Sequence, residues 1–272
     1  MITDEPRSLI NSLWDETYPR WLLWVPSALL FAVFAVPLAA LLLRSFSSDF
    51  LASALSRQAF QALSLSLATS TVTTLITVVL GTPLAYVLAR STSPRRAWIE
   101  LVLDLPIVLP PSVAGLALLI AFGRHGLLGP ALGALGLSLP FTSSAVVLAQ
   151  IFVAAPLYVR SARVGFAHVP SELIEAAHVE GANMWQLFRE VMVPIAGRLL
   201  ASGAILTWTR ALGEFGATIL FAGNLEGVTQ TMPMAIFLGL ERNLGVALAL
   251  AVVLITVSII LLAVMRRLET VD

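Results

Sequence analysis

The chain has 272 residues, of which 58% are hydrophobic and only 12% charged, with a formal net charge of zero. Soluble domains are about 25% charged, so this composition indicates a polytopic membrane protein, and the zero net charge gives no electrostatic basis for binding nucleic acid. The chain has no cysteine and no lysine, which excludes disulfides, a cysteine nucleophile, lysine Schiff bases and a standard P-loop ATPase on this chain.

The apolar residues form stretches of membrane-spanning length, since a helix needs about 20 apolar residues to cross the hydrocarbon. Six stretches meet or approach this length: 21–43, 63–89, 98–122, 142–160, 198–222 and 243–265. The first follows several acidic residues and has no clear small-residue cleavage site, so we interpret it as a retained span. The prediction is an all-α membrane protein with an N-terminal segment 1–20, a transmembrane domain 21–265 and a short tail 266–272.

The placement of arginine predicts the orientation. If the N-terminus is cytoplasmic, the predicted outside segments hold only Arg44, Arg57, Arg124 and Arg242, and Arg210 lies within a span. The other arginines, which are the majority, fall in the predicted inside segments. Both termini are therefore predicted to be cytoplasmic, in a multi-pass protein of the plasma (inner) membrane.

The third span contains the prolines of "DLPIVLPPSVAG", residues 104–115. Prolines inside a span free backbone carbonyls and break the helix, which is tolerated where the backbone is buried in protein or lines a cavity. Pro110 and Pro111 are therefore candidate pathway residues. The alternative is a proline-kinked helix with only a packing role.

A polar segment, "SELIEAAHVEGANMWQLFREVMVPIAG" at 171–197, separates the fourth and fifth spans. We expect a first helix that ends at Gly181, because the left-handed residue after a helix is usually glycine. Asn183 is a favourable N-cap for a second helix through about Val191, and Pro194 is predicted to stop it. By composition alone, the segment equally fits an amphipathic helix lying at the membrane interface.

The spacing within this segment resembles the EAA loop of ABC importer permeases. The family's pattern of Glu-Ala-Ala, Gly, two aliphatic residues and Pro is matched, gap by gap, by Glu175, Ala176, Ala177, Gly181, Val191, Val193 and Pro194. The resemblance implies that the short helix docks into a groove on a separate ATPase subunit. In this interpretation Glu175 bonds backbone N–H groups at the turn, and ATP and Mg²⁺ are bound by the partner ATPase.

Two later stretches hold further candidate residues. In "RALGEFGATILFAGN", Arg210 and Glu214 are one helical turn apart inside the predicted fifth span, where charges are expensive. They either neutralise each other as an i,i+4 pair, which we favour, or Arg210 belongs to an anion route. In "TQTMP", the small polar side chains of Thr229, Gln230 and Thr231 either form part of an outer gate or cap a loop helix.

Taken together, "LPIVLPPSVAG", "GRHGLLG", "RALGEFGATILFAGN" and "TQTMP" resemble the molybdate and sulfate branch of ABC permeases, and the "GEFGA" and "TMP" forms look closer to molybdate or tungstate permeases. The resemblance implies a type I (MetI-like) permease fold with six transmembrane helices and a homodimer in contact with membrane lipid. It also implies two ATPase subunits and an extracytoplasmic molybdate-binding protein as partners.

The alternatives differ in class. A sulfate or thiosulfate permease is the nearest, and a secondary transporter or channel would not require the EAA spacing. An intramembrane enzyme is disfavoured because the chain has neither His-Glu-x-x-His nor Gly-x-Ser-x-Gly. We therefore predict no catalytic residue, no metal site and no cofactor on this chain.

Overall fold

A computed structural model describes residues 21–45 and 50–269, so the predicted segment 1–20 and the last residues of the predicted tail lie outside the described residues. Within these ranges the chain is helical and has no strand. The helices are α1 Trp21–Ser45, α2 Phe50–Ala54, α3 Arg57–Arg90, α4 Arg95–Val108, α5 Pro111–Phe122, α6 Gly129–Ala134, α7 Ser143–Ala167, α8 Ser171–Val179, α9 Met184–Gln186, α10 Val193–Leu212, α11 Gly216–Ala222, α12 Met232–Arg242 and α13 Leu244–Glu269. A π-helical segment, Leu187–Met192, joins α9 to α10.

Five helices are long and apolar enough to cross a membrane: α1, α3, α7, the continuous run Met184–Leu212 and α13. The sixth predicted span is a pair, α4 and α5, bent by 117° at a short break. The six-span prediction is confirmed if this bent pair counts as one span. The fold is therefore an all-α transmembrane bundle.

The break between α4 and α5 follows from two adjacent prolines. A residue that precedes proline is disfavoured in the α conformation, and here both Leu109 and Pro110 precede one. Leu109 is extended at φ −65°, ψ 136°, and Pro110 at φ −52°, ψ 136°. Pro111 then begins α5 at the first helical position, where a missing N–H costs nothing. The predicted break is confirmed, and a pathway role for Pro110 and Pro111 stays a prediction.

The centre of the bundle is α7, which packs against α3 and α10. Many buried α7 positions hold alanine, and such small residues let membrane helices approach closely. At Gly203 on α10, an added Cβ would lie 2.8 Å from the Cβ of Ser161. The close contact between α7 and α10 therefore depends on the absence of a side chain at that position.

A buried network of hydrogen bonds around Gln150 joins the same three helices. Gln150 on α7 is 1% exposed, and its amide donates to Thr69 Oγ1 at 3.2 Å and to the carbonyl of Ala211 at 3.0 Å. Thr73 donates its hydroxyl to Gln150 Oε1 at 3.0 Å. Because an unsatisfied amide in hydrocarbon is costly, these bonds fix the relative positions of α3, α7 and α10.

The predicted fifth span, 198–222, is wrong at both ends. The helix begins earlier, at Met184, and α10 ends at Leu212, after which three residues separate it from the short helix α11. Hydropathy alone does not reveal that α10 ends at Leu212, because the residues on both sides of the break are apolar.

The predicted helix stop at Pro194 is also wrong, because the chain continues through it as helix. In a regular α-helix the ring of Pro194 would collide with the carbonyl of residue 190. Here the wider π turn precedes the proline, and the N–H of Val193 bonds Phe188 O, five residues back. Pro194 therefore sits near the start of α10, where its missing N–H is tolerated.

Candidate functional site

The segment 171–194 begins with a helix and a tight reversal. After α8, Gly181 adopts φ +83°, and the N–H of Ala182 bonds Ala177 O at 2.9 Å while that of Gly181 bonds His178 O at 3.0 Å. This pair of bonds is the Schellman pattern, and it confirms the predicted role of Gly181 as the left-handed residue that ends the helix. An added Cβ at Gly181 would meet no atom within 4 Å, so only the backbone angle requires glycine.

The second half of the segment starts with a reciprocal cap. The N–H of Gln186 bonds Asn183 Oδ1 at 3.0 Å, and the N–H of Asn183 bonds Gln186 Oε1 at 2.9 Å. This capping box satisfies two N–H groups at the helix start and confirms Asn183 as the N-cap. The following helix differs from the prediction, since only Met184–Gln186 is α-helical before the π segment begins.

One side of the segment is held by the bundle. Leu187 and Met192 are buried, and Ala177, Val191 and Val193 pack beside them against the ends of α3 and α7. Rings from three elements also meet there: the centroid of Tyr86 is 5.8 Å from that of Phe166 and 5.7 Å from that of Phe188. In addition, Arg90 donates to the carbonyl of Val169 at 3.3 Å. The segment is thus rigidly joined to two spans.

The other side of the segment is exposed in the single chain. Large apolar residues there are uncovered: Val179 is 88% exposed, Trp185 66% and Met184 62%. Glu175 and Ala176 are exposed beside them. Glu175 makes no hydrogen bond or ion pair with any residue that the structure describes, so the expectation that it bonds N–H groups at the turn of its own chain is wrong.

The second candidate region is the joint between α10 and α11, where Arg210 and Glu214 lie. Arg210 Nη1 is 2.7 Å from Glu214 Oε2, which confirms the pairing expected from the i,i+4 spacing. Glu214 is not inside a span helix as predicted; it follows the end of α10 and is 2% exposed. Its other oxygen accepts the N–H of Ala217 at 2.9 Å, so one carboxylate both neutralises Arg210 and caps α11.

This joint lies against the broken third span. A Cβ added to Gly216 would collide with the Cβ of Pro111, and one added to Gly115 would lie 2.8 Å from Ala217 O. The structure therefore brings the break after α10 and the break before α5 into direct contact. The residues of the segment 171–194 lie elsewhere, against the ends of α3 and α7.

The third group, Thr229–Thr231, is buried and lies before α12. Thr229 Oγ1 accepts the N–H of Leu225 at 2.9 Å. Gln230 Oε1 accepts from Gln58 Nε2 at 2.9 Å, and Gln230 Nε2 donates to Asn224 at the same distance. Thr231 occupies the N-cap position of α12 without a side-chain capping bond. These residues hold the loop to α3, and their role in a gate stays a prediction.

Comparison with known proteins gives consistent matches over most of the chain. Residues 81–270 match the family described as binding-protein-dependent transport system inner membrane component. Over 240 residues the chain is 38% identical to the molybdenum transport system permease protein ModB of Mycobacterium tuberculosis, covering 88% of this chain and 90% of that one. It is 36% identical over 241 residues to the probable transport system permease protein NifC of Clostridium pasteurianum, covering 88% and 84%.

Solved structures match at the level of the fold. A chain of the bacterial ABC transporter involved in the import of the acidic polysaccharide alginate aligns with a TM-score of 0.75 at 18% identity, covering 95% of this chain and 98% of that one. A chain of the MetNI methionine ABC transporter, in inward-facing conformations, aligns with a TM-score of 0.59 at 20% identity, covering 79% and 98%.

Proposed function

Because the chain belongs to the family of inner-membrane permease components of binding-protein-dependent ABC importers, we propose that it forms the translocation pathway for molybdate or tungstate. The observation that carries this choice of substrate is the similarity to ModB permeases, at 35–38% identity over most of both chains. The partners are a second copy of the chain, two ATPase subunits and an extracytoplasmic molybdate-binding protein. The permease itself catalyses no covalent chemistry. Sulfate or thiosulfate is the alternative substrate.

The loop 170–194 is the proposed site of coupling to the ATPase, which binds ATP and Mg²⁺. Exposed apolar residues beside charged ones are typical of a surface that a protein partner covers. The buried side of the loop packs on α3 and α7, and the loop runs without a break into the span ending at Leu212. Closure of the ATPases would therefore move the spans as a rigid body.

The translocation pathway is proposed to run beside the two broken spans, which meet at Pro111 and Gly216. Irregular backbone at membrane depth is tolerated where it is buried in protein or lines a cavity. Pro110 and Pro111 are then backbone determinants of the pathway, and Thr229–Thr231 hold the outer loop that closes it. Arg210 has a structural role in this proposal, since Glu214 already neutralises it.

The proposed orientation, with both termini in the cytoplasm, has a clean test because the chain lacks cysteine. Thr92 lies between α3 and α4, at the predicted inner surface. A Thr92→Cys variant in intact cells should not react with an impermeant thiol reagent and should react once the membrane is opened. Labelling in intact cells would reverse the orientation.

Substrate and coupling are tested together by reconstitution. The permease is placed in liposomes with its ATPase and binding protein, and molybdate uptake is measured with and without ATP. We expect uptake that needs all three proteins and ATP, with competition by tungstate at lower concentration than by sulfate. Stronger competition by sulfate would favour the alternative substrate, and uptake without ATP would contradict the proposed coupling.

A further inference from the structure

A cavity of about 330 Å³ lies between α4, α3 and α7. Its walls are apolar apart from Thr77; they include Leu80, Val102, Pro106, Phe152 and Ala155. The Thr77 hydroxyl is buried and has no hydrogen-bond partner among the described residues. The cavity begins near the middle of α3 and α7 and extends toward the predicted cytoplasmic surface. Helix α4 covers it only loosely, and most of the large apolar side chains of α4 are exposed in the single chain.

A charged recess adjoins this cavity and shares three of its wall residues, Leu103, Pro156 and Val159. Its polar groups come from α4 and α7. Arg96 and Arg163 both contact Glu100 Oε1, at 2.7 Å and 3.1 Å.

The remaining ion pair in the recess is longer than the two at Glu100. Arg160 Nε is 3.7 Å from Asp104 Oδ1, and the Arg160 side chain is 58% exposed. Two arginines, Arg160 and Arg163, and two carboxylates line the recess, and Arg96 bonds Glu100 from outside this lining, so the whole cluster has one excess positive charge. Most of the five N–H donors of Arg160 are not used by Asp104.

From this juxtaposition we infer that the cleft under α4 is a specific site for an anionic phospholipid. The phosphate of the headgroup bonds Arg160 at the predicted cytoplasmic surface, and an acyl chain fills the cavity toward Thr77. Basic pockets between membrane helices on that side bind anionic headgroups, and each arginine near the surface adds to the attraction. A small hydrated anion does not suit the cavity, because the apolar walls offer nothing to replace its water.

The test compares lipids on the intact permease–ATPase complex. Delipidated complex is exposed to phosphatidylglycerol or phosphatidylcholine, and retained lipid is counted by native mass spectrometry. We expect selective retention of phosphatidylglycerol. Arg160→Gln should lower that retention about fivefold, whereas Arg198→Gln, which removes an exposed arginine on α10 outside the cleft, should leave it unchanged.

A second variant tests the apolar half of the site independently of charge. Ala155→Leu narrows the cavity while every arginine remains, so it should also reduce phosphatidylglycerol retention. Equal retention of the two lipids, or full retention by both Arg160→Gln and Ala155→Leu, would overturn the inference.

Two further outcomes would assign the cleft to another occupant and also overturn the inference. Disulfide-linked dimers of an Ala155→Cys chain would show that a second copy covers the cleft. A rise in melting temperature caused by inorganic phosphate or molybdate alone, and lost in Arg160→Gln, would show that a free anion binds there. None of these results depends on which oxyanion the complex transports.

Discussion

The proposed coupling loop, residues 170–194, and the α10–α11 joint both have charged residues near a helix end, but they differ in whether those charges are buried and paired. At the joint, Glu214 is 2% exposed, and its two oxygens are used by Arg210 and by the N–H of Ala217. In the loop, Glu175 is exposed and unpaired among the described residues, and Trp185 is 66% exposed.

This difference separates structural residues from interface residues. A buried charge must be paired within the chain, because an uncompensated one is strongly destabilising. An exposed charge beside large apolar side chains costs the chain little and remains available to a partner. Substitutions at the joint should therefore act on folding, and substitutions on the outer face of the loop should act on assembly.

The largest effect is expected at the joint. Arg210→Gln leaves the buried carboxylate of Glu214 without its counter-charge, which should cost about 3 kcal/mol of unfolding free energy. Adding Glu214→Gln should recover much of this loss, because neither charge then remains. The measurement is a double-mutant cycle on thermal unfolding, with ATP-dependent molybdate uptake as a second readout.

An internal control exists for this cycle. Arg96 and Glu100 have the same i,i+4 spacing and the same 2.7 Å separation, but Glu100 is 27% exposed where Glu214 is 2% exposed, and Arg163 also contacts Glu100. Their coupling should be only about 0.5 kcal/mol. Additive losses at Arg210 and Glu214 would contradict the pairing, and a double variant that is stable but cannot transport would instead favour contact between Arg210 and the anion.

An intermediate effect is expected at Gly181. Gly181→Val places a β-branched side chain at φ +83°, which should cost about 1–2 kcal/mol, and the distorted turn should abolish uptake while the protein remains in the membrane. Gly181→Asn is the matched control, since asparagine tolerates this conformation and no neighbour lies within reach of the new Cβ. ATP-dependent uptake at the normal rate by a well-folded Gly181→Val variant would show that the turn is not needed for coupling.

The features that the sequence predicted correctly depend on local geometry. Gly181 and Asn183 have the roles expected of them because helix caps involve residues only a few positions apart. The Arg210–Glu214 pair follows likewise from one helical turn. The double proline at 110–111 breaks the third span because each residue before a proline is restricted by its own neighbour.

The features that the sequence did not predict depend on packing between distant segments. Pro194 continues the helix because a π turn precedes it, and the buried residues Leu187 and Met192 hold that turn against α3 and α7. The hydrogen-bond network around Gln150 requires three helices to meet at one side-chain amide. A single glutamine in the apolar stretch 142–160 was nevertheless a signal, because an amide in hydrocarbon needs partners.

The smallest effect on folding is expected on the outer face of the loop, where the ATPase is proposed to dock. Trp185→Glu places an acid in the first turn of a helix, where the dipole favours it, so the loss of its contact with Phe188 should cost less than about 1 kcal/mol. The same change introduces a charge on the proposed docking surface. The measurement is the amount of ATPase that co-purifies with the permease.

Trp98→Glu is the control, because Trp98 is similarly exposed, at 71% against 66%, and lies near the start of α4 on the same predicted side. We expect Trp185→Glu to lower ATPase binding at least about tenfold, as is typical of an interface tryptophan, while Trp98→Glu binds normally and both variants unfold near the wild-type temperature. Wild-type ATPase binding by Trp185→Glu would contradict coupling through this loop.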